Sequence, residues 1–98
     1  MKLLDQLRSL FQGGYRFTDG SRLIPAGRDS QFYVDQAGRR VEVYTELLGG
    51  DVERRIEAAS IDKWLPPYEQ EITEGERQEI IGKICDYYRK TNRTFIVD

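Results

Sequence analysis

The spacing of the hydrophobic residues changes past the middle of the chain. Before residue 60, apolar and polar residues alternate in short runs separated by turn-forming residues, which is the pattern of β-strands. From residue 74 to residue 91, apolar residues recur at steps of three and four, which is the pattern of an amphipathic helix. The chain is therefore predicted to form a sheet of short strands followed by one long helix.

The first three strands are predicted from their alternation and from the turns between them. Residues 15–18 and 21–24 flank an Asp-Gly pair, which tolerates the positive φ angles of a two-residue type I′ hairpin turn. A third strand is predicted over residues 31–35, where Tyr33 faces away from both of its neighbours. We expect Tyr33 to be exposed.

The fourth strand, predicted over residues 39–48, alternates most regularly. Three of its residues point to one face and three to the other: Val41, Val43 and Thr45 against Glu42, Tyr44 and Glu46. That alternation suits an antiparallel sheet with one face in water. Residues 52–59 predict a fifth strand, although the sequence Glu-Ala-Ala-Ser at its end would also tolerate a helix.

The long helix is predicted over residues 74–91. Thr73 and Glu76 form a capping box, in which each side chain accepts a hydrogen bond from the backbone N–H of the other residue. Asn92 is expected to end the helix in a left-handed conformation, before a last short strand over residues 94–97. The apolar stripe of the helix consists of Ile80, Ile81, Ile84, Cys85 and Tyr88.

A short helix is predicted at the start of the chain, over residues 2–12. Its apolar residues recur at helical spacing, and Gly13-Gly14 provides a stop signal. This helix either covers the sheet or presents an exposed face to a partner.

Residues 60–68 join the predicted sheet to the long helix and contain the only Trp of the chain. Pro66 and Pro67 fix φ and lack an N–H, so they fit neither a sheet nor a helix interior. Trp64 and Tyr68 flank the two prolines. We expect these four residues to form a structural anchor, with both rings packed against the core. The alternative is an exposed aromatic-proline recognition surface.

Together these elements predict one α+β domain over residues 1–98. Its expected architecture is an antiparallel meander of about five strands packed against one long C-terminal helix, with a short N-terminal helix and a short final strand. The length of 98 residues suits a single hydrophobic core.

The composition removes several kinds of chemistry from consideration. The chain has no His, which excludes the commonest general base and every imidazole metal ligand. Its single Cys, Cys85, allows no internal disulfide or thiolate zinc site and falls within the predicted core. The net charge of −2 argues against binding to nucleic acid or to an anionic membrane. We therefore expect no catalytic residue, no metal site and no cofactor.

We expect neither a membrane span nor an export signal in this sequence. No apolar run approaches the roughly 18 residues that a membrane span needs. Asp5 and Gln6 interrupt the apolar positions at the start, unlike a signal peptide. We expect a cytoplasmic protein that is a monomer or a weak dimer.

Acidic residues accumulate where the long helix begins. Their spacing matches no metal-binding loop, and capping accounts for Glu74 and Glu76. They form either a solvated helix start or an acidic surface that faces a basic partner. The candidate partner-binding residues are Glu69, Glu71 and Glu74 of this region, with Tyr44 and Glu46 of the exposed sheet face.

Two pairs of basic residues, Arg39-Arg40 and Arg54-Arg55, fall in predicted strands. Each pair places one charge on each face of the sheet, so the four do not form one stripe. We interpret them as solubilising surface residues. The alternative is nucleic-acid binding supported by exposed tyrosines, which the overall charge disfavours.

Part of the chain resembles a known family. The segment 45–50 reads Thr-Glu-Leu-Leu-Gly-Gly, and 59–68 reads Ala-Ser-Ile-Asp-Lys-Trp-Leu-Pro-Pro-Tyr, followed by an acidic helix start over 71–81. These segments resemble the polymorphic-toxin immunity proteins of family seventy-four, over about residues 39–98. The resemblance implies a non-enzymatic antidote that binds a cognate toxin domain, and it implies no particular binding residues.

Two classes of function fit these features. The first is an interaction protein, a bacterial immunity protein that binds and neutralises a cognate protein toxin. The alternative is a small accessory or regulatory domain that binds a small ligand near Trp64. An enzyme fits less well, because no acid–base pair stands out from the ordinary carboxylates.

Overall fold

The computed structural model describes residues 14–98, so the helix predicted over residues 2–12 lies outside the described residues. The described part forms six strands, one long α-helix and one turn of 3₁₀-helix at Ala58–Ser60. The helix, α1, spans Glu74–Lys90. The strands are β1 (Tyr15–Arg16), β2 (Arg22–Pro25), β3 (Ser30–Val34), β4 (Arg40–Leu47), β5 (Arg54–Ile56) and β6 (Phe95–Val97).

The strands form one sheet in the order β1-β2-β3-β4-β5-β6. Neighbouring strands are antiparallel except β5 and β6, which are parallel. The first part of β4 pairs with β3, and its last part, from Thr45 to Leu47, pairs with β5. The predicted α+β architecture is confirmed: a meander, one long helix, and a final strand that lies at the edge of the sheet.

The core lies between one face of the sheet, its inner face, and α1. On β4, Val41, Val43 and Thr45 are buried and Tyr44 is 50% exposed, which confirms the predicted alternation. The buried residues of α1 are the five predicted from the sequence. Val41 and Val43 belong with them to one hydrophobic cluster, which is completed by Leu23, Tyr33, Ile56, Ile61, Trp64 and Ile72.

Both ends of α1 are capped as expected. Thr73 Oγ1 accepts a hydrogen bond from the Glu76 N–H at 3.1 Å, and Glu76 Oε1 accepts one from the Thr73 N–H at 2.9 Å. At the other end Asn92 has a φ of 56°. The Arg93 N–H donates to the Tyr88 carbonyl at 2.8 Å and the Asn92 N–H to the Arg89 carbonyl at 3.2 Å. These are the two bonds of a Schellman motif, so the helix has a defined end.

The prediction that Tyr33 is exposed is wrong. Tyr33 lies directly opposite Val41 in the β3–β4 pair, so it shares the inner face, and it is only 3% exposed. Its hydroxyl accepts a hydrogen bond from Lys83 Nζ of α1 at 3.0 Å. A tyrosine can occupy the core because its polar tip has this partner.

The turn between β1 and β2 contains three residues, whereas two were predicted. The Gly20 N–H donates to the Phe17 carbonyl at 3.0 Å, and the Phe17 N–H donates to the Ser21 carbonyl at 2.8 Å. Gly20 has a φ of 92°, as in a type I turn followed by a left-handed glycine. Asp19 stabilises this turn, because its Oδ1 accepts hydrogen bonds from both the N–H and the hydroxyl of Ser21.

The fifth strand is shorter than predicted. Only Arg54–Ile56 is extended, and Ala58–Ser60 forms the 3₁₀ turn. The Ser60 hydroxyl donates to the Glu57 carbonyl at 2.6 Å, which favours the turn over a longer strand. The turn brings Ile61 into the core, where it is fully buried.

Residues 62–72 form a closed loop that leads from the 3₁₀ turn to α1. The Ile72 N–H donates to the Asp62 carbonyl and the Trp64 N–H to the Gln70 carbonyl, each at 2.9 Å. The Leu65 N–H donates to the Arg40 carbonyl at 2.8 Å, which attaches the loop to the start of β4. The loop is therefore fixed to the sheet by backbone hydrogen bonds, and the Pro66–Pro67 peptide bond within it is cis.

Arg39 holds this loop against the rest of the domain. Its guanidinium carbon lies 4.3 Å from the centroid of the Trp64 ring. Its nitrogens contact a carboxylate oxygen of Asp35 at 2.7 Å and one of Glu76 at 3.2 Å. We call these four side chains the Arg39 junction; it connects the β3–β4 turn, the loop 62–72 and the first turn of α1.

Replacing Arg39 by Lys should lower the free energy of unfolding by about 1–2 kcal/mol. Lys keeps the charge but lacks the planar guanidinium that stacks on Trp64 while donating to two carboxylates. Arg40→Lys is the matched control; that residue is exposed, and a change within about 0.5 kcal/mol is expected. Urea unfolding measures both variants, and equal effects would contradict the role of the junction.

Asp19→Asn should destabilise the protein in a pH-dependent way. Hydrogen bonds from Lys83 and then from the hydroxyl and N–H of Ser21 lower the pKa of Asp19 from 3.8 to about 2. Because the pKa is lower in the folded state, the ionised carboxylate stabilises the fold above about pH 4, and this stabilisation disappears as the pH falls to about 2. At neutral pH we expect a loss of about 1.5 kcal/mol.

The measurement is urea unfolding of the wild type and Asp19→Asn between pH 2 and pH 7. The difference between the two proteins should be constant above about pH 4.5 and shrink below it. Asp51→Asn, at an exposed turn residue, is the control and should show no such trend. A difference that does not change with pH would contradict this account of Asp19.

Candidate functional site

The face of the sheet that points away from α1, its outer face, contains an open groove of about 220 Å³. The groove lies where β4 passes from its pairing with β3 to its pairing with β5. Its lining residues come from the loop before β3, from β3, β4 and β5, and from the residue after β5: Asp29, Ser30, Tyr44, Glu46, Arg55 and Glu57. We call this the outer groove.

Strand register places the charged side chains of the outer groove. Glu46 of β4 lies opposite Arg55 of β5, and Arg55 lies beside Ile96 of β6. Side chains in such a row point to the same face, and the neighbouring row containing Thr45 and Ile56 is buried. The row Glu46–Arg55–Ile96 must therefore face outward.

The loop before β3 closes one side of the outer groove. The Asp29 carbonyl accepts a hydrogen bond from the Thr45 N–H at 2.9 Å, and Asp29 Oδ1 accepts one from the Leu47 N–H at 2.9 Å. The Ser30 hydroxyl donates to Glu42 Oε2 at 2.8 Å. These bonds fix the loop against β4, so the groove wall is defined in the free protein.

The outer groove is acidic. Three carboxylates line it, those of Asp29, Glu46 and Glu57, together with one basic residue, Arg55. Arg55 is already paired, at 3.1 Å with Glu46 and at 3.4 Å with Asp98. With its one cation engaged in this way, the groove presents a net negative surface around the exposed ring of Tyr44.

The structure divides the predicted partner-binding residues between two places. Tyr44 and Glu46 both line the outer groove. Glu69 and Glu71 are exposed in the loop 62–72, and Glu74 is exposed at the start of α1. That loop is bonded to Arg40 at the start of β4, whereas the groove begins four residues later, about 13 Å along an extended strand.

Glu74 is engaged within its own helix. Its carboxylate accepts a hydrogen bond from Gln78 Nε2 at 2.8 Å and forms an ion pair with Arg77. The Gln78 hydrogen bond, followed by the charge of Arg77, lowers the pKa of Glu74. Glu76, the other acidic residue of this turn, serves the helix cap and the Arg39 junction.

Sequence reasoning missed four residues of the outer groove: Asp29, Ser30, Arg55 and Glu57. Asp29 and Ser30 belong to a predicted loop, and their approach to β4 depends on tertiary hydrogen bonds. The position of Arg55 follows from strand register, which the alternation of β5 with β4 could have indicated. Glu57 becomes part of the groove because β5 ends early.

Only one of the four residues proposed as a structural anchor around the two prolines is buried. Trp64 is 2% exposed and belongs to the core cluster. Tyr68 is 45% exposed, so the expectation that both rings pack against the core is wrong for Tyr68. Pro66 and Pro67 are exposed as well. Tyr68 ends a turn in which its N–H donates to the Leu65 carbonyl at 3.2 Å.

A second cavity lies beside Trp64 and measures about 60 Å³. Arg39, Asp35 and Glu76 of the Arg39 junction line it, together with Tyr33, Gln36, Glu79 and Ile80. This volume accommodates a few water molecules and is well below the ~300 Å³ or more of ordinary small-molecule sites.

The described residues offer little for metal or thiol chemistry. Within residues 14–98 no group of three or more acidic or Cys side chains is arranged to hold a metal ion. Cys85 is buried, and its burial raises the pKa of the thiol. None of the described helices is long and apolar enough to cross a membrane.

One known protein family matches most of the chain. The family model named immunity protein 74 matches residues 26–98. The chain belongs to the immunity protein 74 family. A search of curated proteins and a search of solved structures gave no match.

The family match includes the entire outer groove. It begins shortly before β3 and continues through β6, so every residue that lines the groove lies within it. The match also extends further toward the N-terminus than the resemblance noted from the sequence, which began at about residue 39. The residues of both the Arg39 junction and the outer groove therefore lie within the part of the chain that the family model matches.

Proposed function

We propose that this chain is a non-enzymatic bacterial immunity protein that binds and neutralises a cognate protein toxin. The family assignment supports this function at its coarsest level. The observation that carries it further is the outer groove, where Tyr44 is half exposed among charged residues and contributes nothing to the core. Exposed tyrosines surrounded by polar groups are favoured anchors of protein–protein interfaces.

The proposed mechanism is steric and electrostatic. An immunity protein needs no reaction of its own if it covers the active site or the substrate-binding surface of the toxin. Carboxylates on the outer face attract a basic surface, which speeds the encounter and selects the partner. Toxins that act on nucleic acids carry such basic surfaces, so we propose a basic toxin domain as the partner.

The setting of this function follows from the same reasoning. We propose that the chain acts as a monomer or weak dimer in the bacterial cytoplasm, where it meets a toxin encoded by a neighbouring gene. It uses neither nucleic acid nor membrane as a partner in this scheme. A small-ligand function near Trp64 is less well supported, because the adjacent cavity measures only about 60 Å³ and the side chains of the Arg39 junction that line it already bind one another.

Co-expression with the toxin domain encoded by the adjacent gene tests the function. We expect the chain to restore growth and to be purified with the toxin as a 1:1 complex. The control is an unrelated small acidic domain, which should not restore growth. Failure of both rescue and complex formation would contradict the proposed function.

Tyr44→Ala should weaken toxin binding about 30-fold, because a buried interface tyrosine contributes roughly 2 kcal/mol. Tyr68→Ala is a matched control, since Tyr68 is comparably exposed but lies in the loop 62–72. We expect the control to change the dissociation constant by less than about threefold. Isothermal titration calorimetry measures both, and a larger effect from Tyr68→Ala would place the interface on the loop.

A further inference from the structure

The last strand of the sheet, β6, has an edge that the described residues leave open. Among residues 14–98, β6 pairs only with β5. On one side of β6 the Thr94 carbonyl accepts hydrogen bonds from the Glu53 and Arg54 N–H groups. On the other side Asp98 donates its N–H to the Ile56 carbonyl and accepts from the Ala58 N–H. Because hydrogen bonding to one neighbour alternates along a strand, Phe95 and Val97 direct their N–H and C=O groups to the opposite edge.

The side chains of β6 leave this edge accessible. Ile96 is 44% exposed and Val97 is 46% exposed, although both are large and apolar. Phe95 packs inward, with its ring centroid 5.8 Å from that of Tyr88, and holds the strand to the core. Natural proteins protect strand edges with charges, prolines or bulges. The three residues of β6 include none of these.

The outer face beside this edge carries the carboxylates of Glu46, Glu57 and Asp98 and one cation, Arg55, which is paired with Glu46 and Asp98. Ile96 continues the outward row that contains Glu46 and Arg55. Asp98 follows β6 directly, and its carbonyl accepts a hydrogen bond from the Ala58 N–H at 2.9 Å, next to Glu57 of the groove. An extended segment lying along β6 would therefore have apolar contacts from Ile96 and Val97 and carboxylates on its outer side.

We propose that the partner adds an extended, basic segment to the open edge of β6. This deepens the proposed function, on which it rests, by naming the place and the chemistry of the contact. Backbone hydrogen bonds to Phe95 and Val97 would provide affinity, as in other cases of strand addition. Lys or Arg side chains of the added segment would provide specificity through the acidic residues of the outer face.

Val97→Pro tests the backbone contact. Proline removes an N–H that points away from β5, so the sheet keeps its own hydrogen bonds while the edge loses a donor. Binding of the adjacent gene's toxin domain, in a catalytically inactive form, should weaken at least tenfold. Val97→Ala keeps the N–H and removes only part of the apolar contact, so it should weaken binding less than Val97→Pro. Circular dichroism and thermal unfolding establish that each variant is folded.

Glu57→Lys tests the basic character of the segment and does not depend on how β6 tolerates proline. It should weaken binding at least tenfold and reduce the dependence of binding on salt. Glu71→Lys makes the same change of charge in the loop 62–72 and should leave binding within about threefold.

The outcomes separate this inference from the proposed function. No complex with the wild-type chain would overturn both. A complex that Val97→Pro and Glu57→Lys leave intact would overturn the strand addition alone and keep the function. If the amides of Phe95 and Val97 already exchange slowly with solvent deuterium in the free chain, another segment or a second copy fills the edge. Light scattering then identifies a second copy, and either result overturns the inference.

Discussion

The packing of Arg39 on Trp64 is the contact on which the arrangement of the domain depends. The guanidinium stacks on a buried ring and donates to Asp35 and Glu76 at once. Each carboxylate belongs to a different element, so a single side chain sets the position of a turn, a loop and a helix. Glu76 is held in place in turn, because the Thr73 N–H and then the Arg39 charge lower its pKa and keep it ionised.

The Arg39 junction lies at the start of β4, whereas the outer groove lies at the end of the same strand. The loop 62–72 is bonded to the first residue of β4, and the Arg39 junction fixes it there. In the second half of β4, Thr45 is buried on the inner face and Tyr44 is half exposed on the outer face. Within the Trp-Leu-Pro-Pro segment, Trp64 therefore serves to hold the fold together. The outer groove and the open edge of β6 lie elsewhere on the molecule.

Local patterns in the sequence predicted the elements well, because each depends on neighbours a few residues apart. The capping box at Thr73, the apolar stripe from Ile80 to Tyr88 and the alternation of β4 are of this kind. Arg39 and Tyr33 were misjudged because their burial depends on partners far along the chain, Trp64 and Lys83. Two of the six residues of the outer groove were predicted, because the outward alternation of Tyr44 and Glu46 is visible in the sequence. Asp29 and Ser30 reach the groove only through tertiary hydrogen bonds.

The most direct measurement is an NMR titration of the ¹⁵N-labelled chain with the unlabelled, inactive toxin domain. If the partner occupies the outer face and the β6 edge, the amide shifts should change in the second half of β4, in β5 and in β6. The amides of the loop 62–72 and of the first turn of α1 should keep their shifts. Changes concentrated at Glu69, Glu71 and Glu74, with β6 unaffected, would contradict the account.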